Sequence, residues 1–342
     1  MWVRAFHERV GRIRMVPPYP LMPLDRRSFL TSSTLAGAAL ALGALPSSGS
    51  GAPTSPRPRK RTRLAIATYS YWHFRDPKIS VQTVMDKAAA IGVEGVDILH
   101  RQMDIAEKGP LDAAARSYLH RLRRHAFLNG LSICCVSTHQ SFVQPDAAEL
   151  TANVEHTKKC IEIAHELGCP SIRINTGRWG TSKSFDELMK NRGIEPVLPG
   201  HTEEEGFKWC IEGITRCLPK AEECGVVLAL ENHWGLARTP EGLLRILNDV
   251  KSPWLGGLMD TGNFLEDPYV KLEAIAAKTV YVQAKTYHGG GEWYSLDLDY
   301  DRVARMLAGV GYNGWVALEM EGKEDPDVAV PKSIAMLRQA FG

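Results

Sequence analysis

The segment that decides the fold reads GVVLALE over residues 225–231. A pattern of helical period over residues 207–224 precedes it, and Gly225 stands where helices commonly end in a left-handed residue. The unbroken apolar run that follows is typical of a strand buried on both faces. Glu231 then closes this strand with a carboxylate, so the unit predicts a helix, a buried strand and a polar strand end, in that order.

The same unit recurs along residues 63–342, and glycines also precede strands at Gly92, Gly130 and Gly168. Strands that alternate with helices pair in parallel, because each crossover needs a helix to return the chain. Eight such units within about 280 residues predict a closed (β/α)₈ barrel, the TIM barrel of the α/β class. A doubly wound open sheet is the alternative, but its glycine-rich first turn is not found, since residues 67–71 read ATYSY.

The predicted elements follow from these patterns. The strands occupy residues 64–69, 95–99, 131–138, 171–175, 226–231, 256–260, 279–285 and 315–319. The helices occupy residues 81–91, 111–129, 148–167, 207–224, 240–250, 269–277, 300–307 and 328–341. Two loops, an irregular stretch over residues 176–202 and a glycine-rich one over residues 287–294, should cover the C-terminal face, where such barrels carry their function.

The first 60 residues are interpreted as a targeting segment and not as part of the folded domain. Adjacent Arg26 and Arg27 precede an apolar run over residues 35–45 and a Ser/Gly/Pro-rich stretch over residues 46–58. This order resembles a twin-arginine signal peptide, with a disordered basic leader as the alternative. We therefore expect a leader over residues 1–60 and a barrel domain over residues 61–342. The twin-arginine machinery would export the protein to a periplasmic or other extracytoplasmic location, membrane-anchored if the signal is uncleaved.

The composition excludes some partners. Lys and Arg number 41 against 39 Asp and Glu, a formal net charge of +2, which gives no overall field to hold a polyanion. Nucleic acid is therefore not expected as a partner.

The seven cysteines form no CxxC pair, and this odd, scattered set predicts buried thiols and not a disulfide framework. A homo-oligomer is compatible with the sequence.

Oxygen-bearing side chains lie at or near the ends of the last four predicted strands: Glu231, Asp260, Gln283 and Glu319. The C-terminal ends of barrel strands surround one rim, so these four side chains should point to one place. Three carboxylates cannot share a buried rim unpaired, because removing their charges from water costs too much. One divalent cation resolves this, and an all-oxygen donor set favours Mn²⁺ or Mg²⁺. Each acid could instead cap the next helix, but four consecutive strands favour the metal site.

Four short motifs carry a family resemblance: LENH at residues 230–233, MDTGN at 259–263, VQAK at 282–285 and LEMEG at 318–322. They resemble the xylose isomerase-like, sugar phosphate isomerase/epimerase superfamily of TIM barrels over nearly all of residues 63–342. The resemblance implies that Glu231, Asp260, Gln283 and Glu319 bind one Mn²⁺, Mg²⁺ or Co²⁺. Gln283 stands where most members have His, and Asn263 stands where many epimerases have His. Because of these two departures, the resemblance does not single out one reaction of the family.

The predicted function is that of a metal-dependent sugar isomerase or epimerase, which moves a proton next to a carbonyl of a small sugar or keto acid through an enediolate intermediate. Such a metal acidifies the C–H bond that is lost. Glu231 and Glu319, on strands across the rim, are the expected catalytic acid/base pair, and the resemblance implies the same role. The expected substrate-binding residues are His139, Arg173, His233 and Lys285, each of which could instead only pair with the rim acids.

Three other functions compete with this one. A lyase or hydratase acting on an oxidised (3-keto) sugar or glycoside would use the same metal site and proton abstraction to expel a β-substituent. A nuclease related to endonuclease IV would need further His ligands for clustered zinc and a basic face, and the sequence shows neither clearly. A non-catalytic sugar-binding barrel would keep its affinity for sugar when Glu319 is replaced by Gln.

Overall fold

The computed structural model describes residues 62–342, so the predicted export signal lies outside the described residues. Its strands pair in parallel and in sequence order, and β1 pairs with β8 to close the barrel. The strands are β1 (Arg63–Ala67), β2 (Gly95–Leu99), β3 (Ser132–Ser137), β4 (Ser171–Ile174), β5 (Val227–Glu231), β6 (Leu255–Asp260), β7 (Thr279–Thr286) and β8 (Trp315–Met320). The predicted (β/α)₈ barrel is confirmed.

The helices lie between the strands and after the last one. They are α1 (Val81–Ile91), α2 (Ala113–Leu128), α3 (Ala147–Leu167), α4 (Phe185–Lys190), α5 (Glu203–Cys224), α6 (Pro240–Val250), α7 (Pro268–Ala276), α8 (Tyr300–Gly309) and α9 (Pro326–Phe341). Gly92, Gly168 and Gly225 end three of them in the left-handed conformation, with φ of 79°, 69° and 67°. These are glycine caps that the sequence predicted.

Local hydrogen bonds account for the differences from the predicted boundaries. The helix predicted from residue 207 begins at Glu203, because Thr202 and Glu205 form a reciprocal capping box. The prediction that residues 176–202 are wholly irregular was wrong, since Ser184 caps the short helix α4 by accepting from the Glu187 amide. Strand β1 stops at Ala67, and a 3₁₀ turn over Thr68–Tyr71 replaces its predicted end.

The buried apolar residues form two larger clusters and a small third one of Leu188, Met189 and Trp234. Apolar side chains between the strands and the surrounding helices form the largest one. A smaller cluster fills the barrel interior and consists of Ala65, Cys134, Cys135, Ala229, Leu258, Tyr281, Trp315 and Ala317. All seven cysteines are free thiols, and only Cys224 is not fully buried, as the scattered spacing predicted. No helix among the described residues has the length and apolarity needed to cross a membrane.

Candidate active site at the carboxyl ends of the strands

The four predicted metal ligands meet at the rim. Glu231 and Asp260 are the last residues of β5 and β6, while Gln283 lies three residues before the end of β7 and Glu319 one residue before the end of β8. Asp260 stands directly opposite Gln283 in the strand register. The side chains of Glu231, Asp260 and Gln283 are inaccessible to solvent, and Glu319 is 5% exposed. The barrel therefore places all four side chains at one rim in a buried environment.

Two cationic side chains bridge the rim acids. Lys285 Nζ lies 3.6 Å from Asp260 Oδ2 and 3.5 Å from Glu319 Oε2. Arg173 Nε lies 3.5 Å from Glu231 Oε2, and its Nη1 lies 3.6 Å from Glu319 Oε1. The sequence left open whether Arg173 and Lys285 contact substrate or pair with the rim acids, and both form such ion pairs here. Lys285 Nζ also donates to Glu321 Oε1 at 3.0 Å. The contacts of both cations with Glu231, Asp260 and Glu319 are longer than a good hydrogen bond, so these three carboxylates are not fully satisfied.

The rim nevertheless holds more acid than base. Its carboxyl groups belong to Asp97, Glu231, Asp260, Glu319 and Glu321, against the two cations Arg173 and Lys285. Burial raises the pKa of Asp260 well above its ordinary value and the pKa of Glu319 to about 7. Without a further cation, the carboxyl groups of Asp260 and Glu319 therefore tend to hold protons.

The pKa of Glu231 moves in the opposite direction. Burial acts to raise it, but Arg173 and the other nearby positive charges, with a hydrogen bond from Asn175, lower it on balance. Asn175 Nδ2 donates to Glu231 Oε2 at 2.7 Å, and Asn263 Nδ2 donates to Glu231 Oε1 at 3.1 Å. Both oxygens of this carboxylate are thus held by donors that stabilise its charged form.

Two of the predicted ligands have a buried oxygen atom without a hydrogen-bond partner, Asp260 Oδ2 and Gln283 Oε1, and Asn175 Oδ1 beside them is a third such atom. Asp260 Oδ1 accepts from the Gly262 amide at 2.8 Å. The amide nitrogen of Gln283 donates to Asp97 Oδ2 at 2.9 Å and to Ser137 Oγ at 3.1 Å, which leaves the amide oxygen as the free end. Buried acceptors are rarely left unpaired, so two of them on adjacent strands fit the ligand set of a hard cation.

Asp97, Asn175 and the contacts of Asn263 were not among the residues predicted for the site. Asn263 Oδ1 accepts from Lys285 Nζ at 3.0 Å, so this side chain links Lys285 to Glu231. Asp97 is a fully buried acid within the otherwise apolar strand GVDIL. That isolated charge in a buried strand was the one signal in the sequence that could have pointed to Asp97.

A cavity of about 450 Å³ lies over the rim. All four predicted substrate-binding residues and the two predicted catalytic residues line it: His139, Arg173, His233, Lys285, Glu231 and Glu319. Asp260 and Gln283 are not among its lining residues. Burial lowers the pKa of His139 well below its ordinary value and that of His233 to about 4, so both rings are neutral near pH 7. His139 Nε2 lies 3.3 Å from Arg173 Nη2.

The two loops picked out in the sequence meet beside this cavity. The rings of Phe185 and Trp293 contact edge to face with centroids 4.7 Å apart, and Trp293 Nε1 donates to Asp186 Oδ1 at 2.7 Å. Phe185 and Trp293 both line the cavity, although they are 42% and 47% exposed. We refer to Phe185, Asp186 and Trp293 as the clasp. It joins the loop after β4 to the loop after β7.

The comparisons with known proteins agree with this architecture. A family model described as xylose isomerase-like TIM barrel matches residues 85–340, and the chain belongs to this family. No individually curated protein matches the chain significantly in sequence.

Several solved structures share the fold. The 3-keto-D-glucoside 4-epimerase YcjR from E. coli superposes with a TM-score of 0.63 at 14% identity, over 82% of this chain and 100% of that chain. D-psicose 3-epimerase from Clostridium cellulolyticum H10 gives 0.62 at 14% identity, over 82% and 99%. The IolI protein with a bound zinc atom gives 0.61 at 15% identity, over 82% and 96%. At these identities the likeness establishes the fold.

Proposed function

We propose that the chain is a divalent-metal-dependent sugar isomerase or epimerase, which moves a proton next to a carbonyl of a small sugar or keto acid. The observation that carries this proposal is the pair of buried oxygens that accept no hydrogen bond, Asp260 Oδ2 and Gln283 Oε1, beside the carboxylates of Glu231 and Glu319. The family, and structural neighbours whose names include two sugar epimerases, support it.

In this proposal Glu231, Asp260, Gln283 and Glu319 hold one Mn²⁺ or Mg²⁺, with Co²⁺ as a further option. The donor set consists only of oxygens, which suits hard cations. A bound cation would polarise a substrate carbonyl and so acidify the neighbouring C–H bond. The zinc atom in the IolI neighbour supports a metal in this fold but leaves its identity open.

The two catalytic carboxyl groups differ in a way that suits proton transfer. Glu231 is held in its charged form by Asn175 and Asn263 and is the proposed base. Glu319 is the proposed second acid/base group, and in the absence of a metal ion its pKa is raised to about 7, chiefly by burial. Environments that push the pKa values of two neighbouring carboxyls apart are characteristic of acid/base pairs.

The proposed substrate contacts follow from the walls of the cavity. Lys285 and Arg173 present positive charge toward it, which suits substrate oxygens that gain negative charge as the proton leaves. The neutral rings of His139 and His233 are suited to hydrogen bonds with sugar hydroxyl groups. Substituting His233 with Ala should raise KM more than it lowers kcat if this contact is made in the bound state.

The experiment that tests the function follows hydrogen exchange at carbon. EDTA-treated protein is incubated in D₂O with free ketoses and with 3-keto-glycosides, with and without Mn²⁺, and C–H exchange is followed by NMR. We expect exchange beside the carbonyl only with metal, and its loss in Glu319→Gln with sugar binding retained. Glu212→Gln, an exposed acid on α5, is the matched control.

Three outcomes of the same experiment would overturn the proposal. C–H exchange that proceeds equally with and without metal would show that the reaction does not need a metal ion at the rim. Elimination of a β-substituent would identify a lyase, and sugar binding without exchange would identify a binding protein.

Export by the twin-arginine route is likewise a proposal, supported by Arg26 and Arg27 ahead of the apolar run. The paired substitution of both by Lys should retain the protein in the cytoplasm of an expressing bacterium. Unchanged periplasmic recovery of the variant would contradict it.

A further inference from the structure

A second group of metal-ligating side chains lies outside the four predicted ligands of the rim. His100 follows β2, Glu107 lies in the loop between β2 and α2, and His156 lies in α3. One ligand atom from each of the three falls within 4.8 Å of the other two. Among the described residues, it is the only group of three or more His, Cys, Asp or Glu side chains found this close.

The hydrogen bonds of His100 define its ring nitrogens. His100 Nδ1 lies 3.2 Å from the carbonyl oxygen of Ser137, which can only accept, so Nδ1 carries the proton. Burial lowers the pKa of His100 to about 4, so the ring is neutral near pH 7 and Nε2 bears a lone pair. This nitrogen lies 3.4 Å from Glu107 Oε1. Two acceptors therefore face each other, an arrangement that a cation between them would relieve.

His156 completes the group. Its ring centroid lies 5.4 Å from that of His100, and burial lowers its pKa, so this ring is also available in the neutral form that binds metals. Burial acts to raise the pKa of Glu107, but Arg101 lowers it on balance, so Glu107 supplies a negative charge. The donor set is thus two imidazoles and one carboxylate.

The neighbouring cations leave room for a metal ion. Arg101 Nε donates to Glu107 Oε1 at 3.2 Å, the same oxygen that faces His100 Nε2, which leaves Glu107 Oε2 as the carboxylate oxygen for a metal ion. Lys159 Nζ donates to the backbone carbonyls of Ala106, Glu107 and Lys108 at 2.6, 3.3 and 3.2 Å, so its hydrogen bonds go to the backbone. A cavity of about 450 Å³ borders all three side chains of the group and gives access to an ion.

We propose that His100, Glu107 and His156 bind Zn²⁺, with a fourth position open to this cavity. Two imidazoles and a carboxylate are a zinc ligand set, in contrast to the all-oxygen rim. The bond from His100 Nδ1 to a backbone carbonyl is the kind that orients metal-binding histidines. The ion would tie the loop between β2 and α2 to helix α3. This proposal does not depend on the proposed function of the rim.

The test titrates metal-free full-length chain with Co²⁺, a spectroscopic substitute for zinc, and measures Zn²⁺ affinity by competition. Glu107→Gln and His156→Gln change side chains that are 49% exposed and half-buried, so both variants should fold. We expect each to lose the visible absorption of four-coordinate Co²⁺ and at least about 10-fold in Zn²⁺ affinity. His120→Gln, a 59% exposed His paired with Glu166, is the matched control and should bind like wild type.

Asp260→Asn changes a proposed ligand of the rim site only. This variant should therefore keep the Co²⁺ absorption of the site formed by His100, Glu107 and His156. Zinc should also raise the melting temperature of wild type but not that of His156→Gln. Equal Zn²⁺ affinity in wild type, Glu107→Gln and His156→Gln would overturn the proposal. So would a Co²⁺ signal that disappears in Asp260→Asn and persists in His156→Gln.

Discussion

Asp97 decides which end of the Gln283 amide faces the rim. Its carboxylate can only accept, so it holds the amide nitrogen and leaves Gln283 Oε1 free as a ligand. We expect Asp97→Asn to weaken Mn²⁺ binding by about 10- to 100-fold, because an Asn amide can turn and donate to Gln283 Oε1 instead. Calorimetric titration of folded, metal-free protein measures this. The control is the exposed Asp86→Asn, and equal affinity in Asp97→Asn and wild type would refute the role.

Glu319 should make stability depend on pH in the metal-free protein. Its pKa is raised from 4.5 to about 7 in the folded state, so between these values the folded protein binds more protons than the unfolded chain. The free energy of unfolding contributed by this group therefore falls as pH rises through that window. Glu319→Gln cannot ionise, so metal-free variant should gain stability relative to wild type between about pH 5 and about pH 8.

Urea unfolding at the two pH values measures the difference, and saturating Mn²⁺ should reverse it because the variant lacks a ligand. A difference that does not change with pH would contradict the raised pKa of Glu319.

The residues at the rim were predictable to an unequal degree. Glu231 and Asp260 close apolar strands, so their position followed from the pattern of the chain alone. Asp97 lies inside a strand, and its partner Gln283 is 186 residues away, so only the closure of the barrel brings the two together. The bridging positions of Arg173 and Lys285 likewise depend on side-chain directions that spacing does not define.

At the scale of elements, strands and long helices followed from periodicity because burial enforces it. Helix α4 did not, because its six residues are too few to show a helical period, and the Ser184 cap starts it. The 3₁₀ turn after β1 was missed for a related reason. Ser70 Oγ donates to the Leu318 carbonyl and accepts from the Met320 amide, so a side chain replaces strand hydrogen bonds there.

The clasp should restrain both loops over the cavity. Trp293→Ala removes the ring contact with Phe185 and the hydrogen bond to Asp186. Loss of a hydrogen bond of about 1 kcal/mol should speed amide exchange in residues 181–202 and 287–296 by up to about 10-fold. Hydrogen exchange with mass spectrometry detects this. Phe127→Ala, an exposed aromatic on α2, is the control, and unchanged exchange in Trp293→Ala would show that the clasp does not hold the loops.

For the molecule as a whole, the arrangement of charge is the feature that links fold to function. A parallel barrel gathers acids from four strands at one rim, where the cations Arg173 and Lys285 lie against them. An enzyme commonly accepts such a local cost in stability where a ligand or metal later relieves it. The stability that offsets this cost comes from two buried apolar clusters. One lies between the strands and the surrounding helices, and the other fills the barrel interior.

Mn²⁺ binding to the full-length chain is the most direct test of the rim site. Metal-free wild type, Asp260→Asn and His156→Gln are titrated with Mn²⁺ by calorimetry under the same conditions. We expect one Mn²⁺ per chain in wild type and in His156→Gln, and an affinity at least about 10-fold weaker in Asp260→Asn, which loses a charged ligand atom. Mn²⁺ binding that is as tight in folded Asp260→Asn as in wild type, or absent from wild type, would contradict a metal site at the rim.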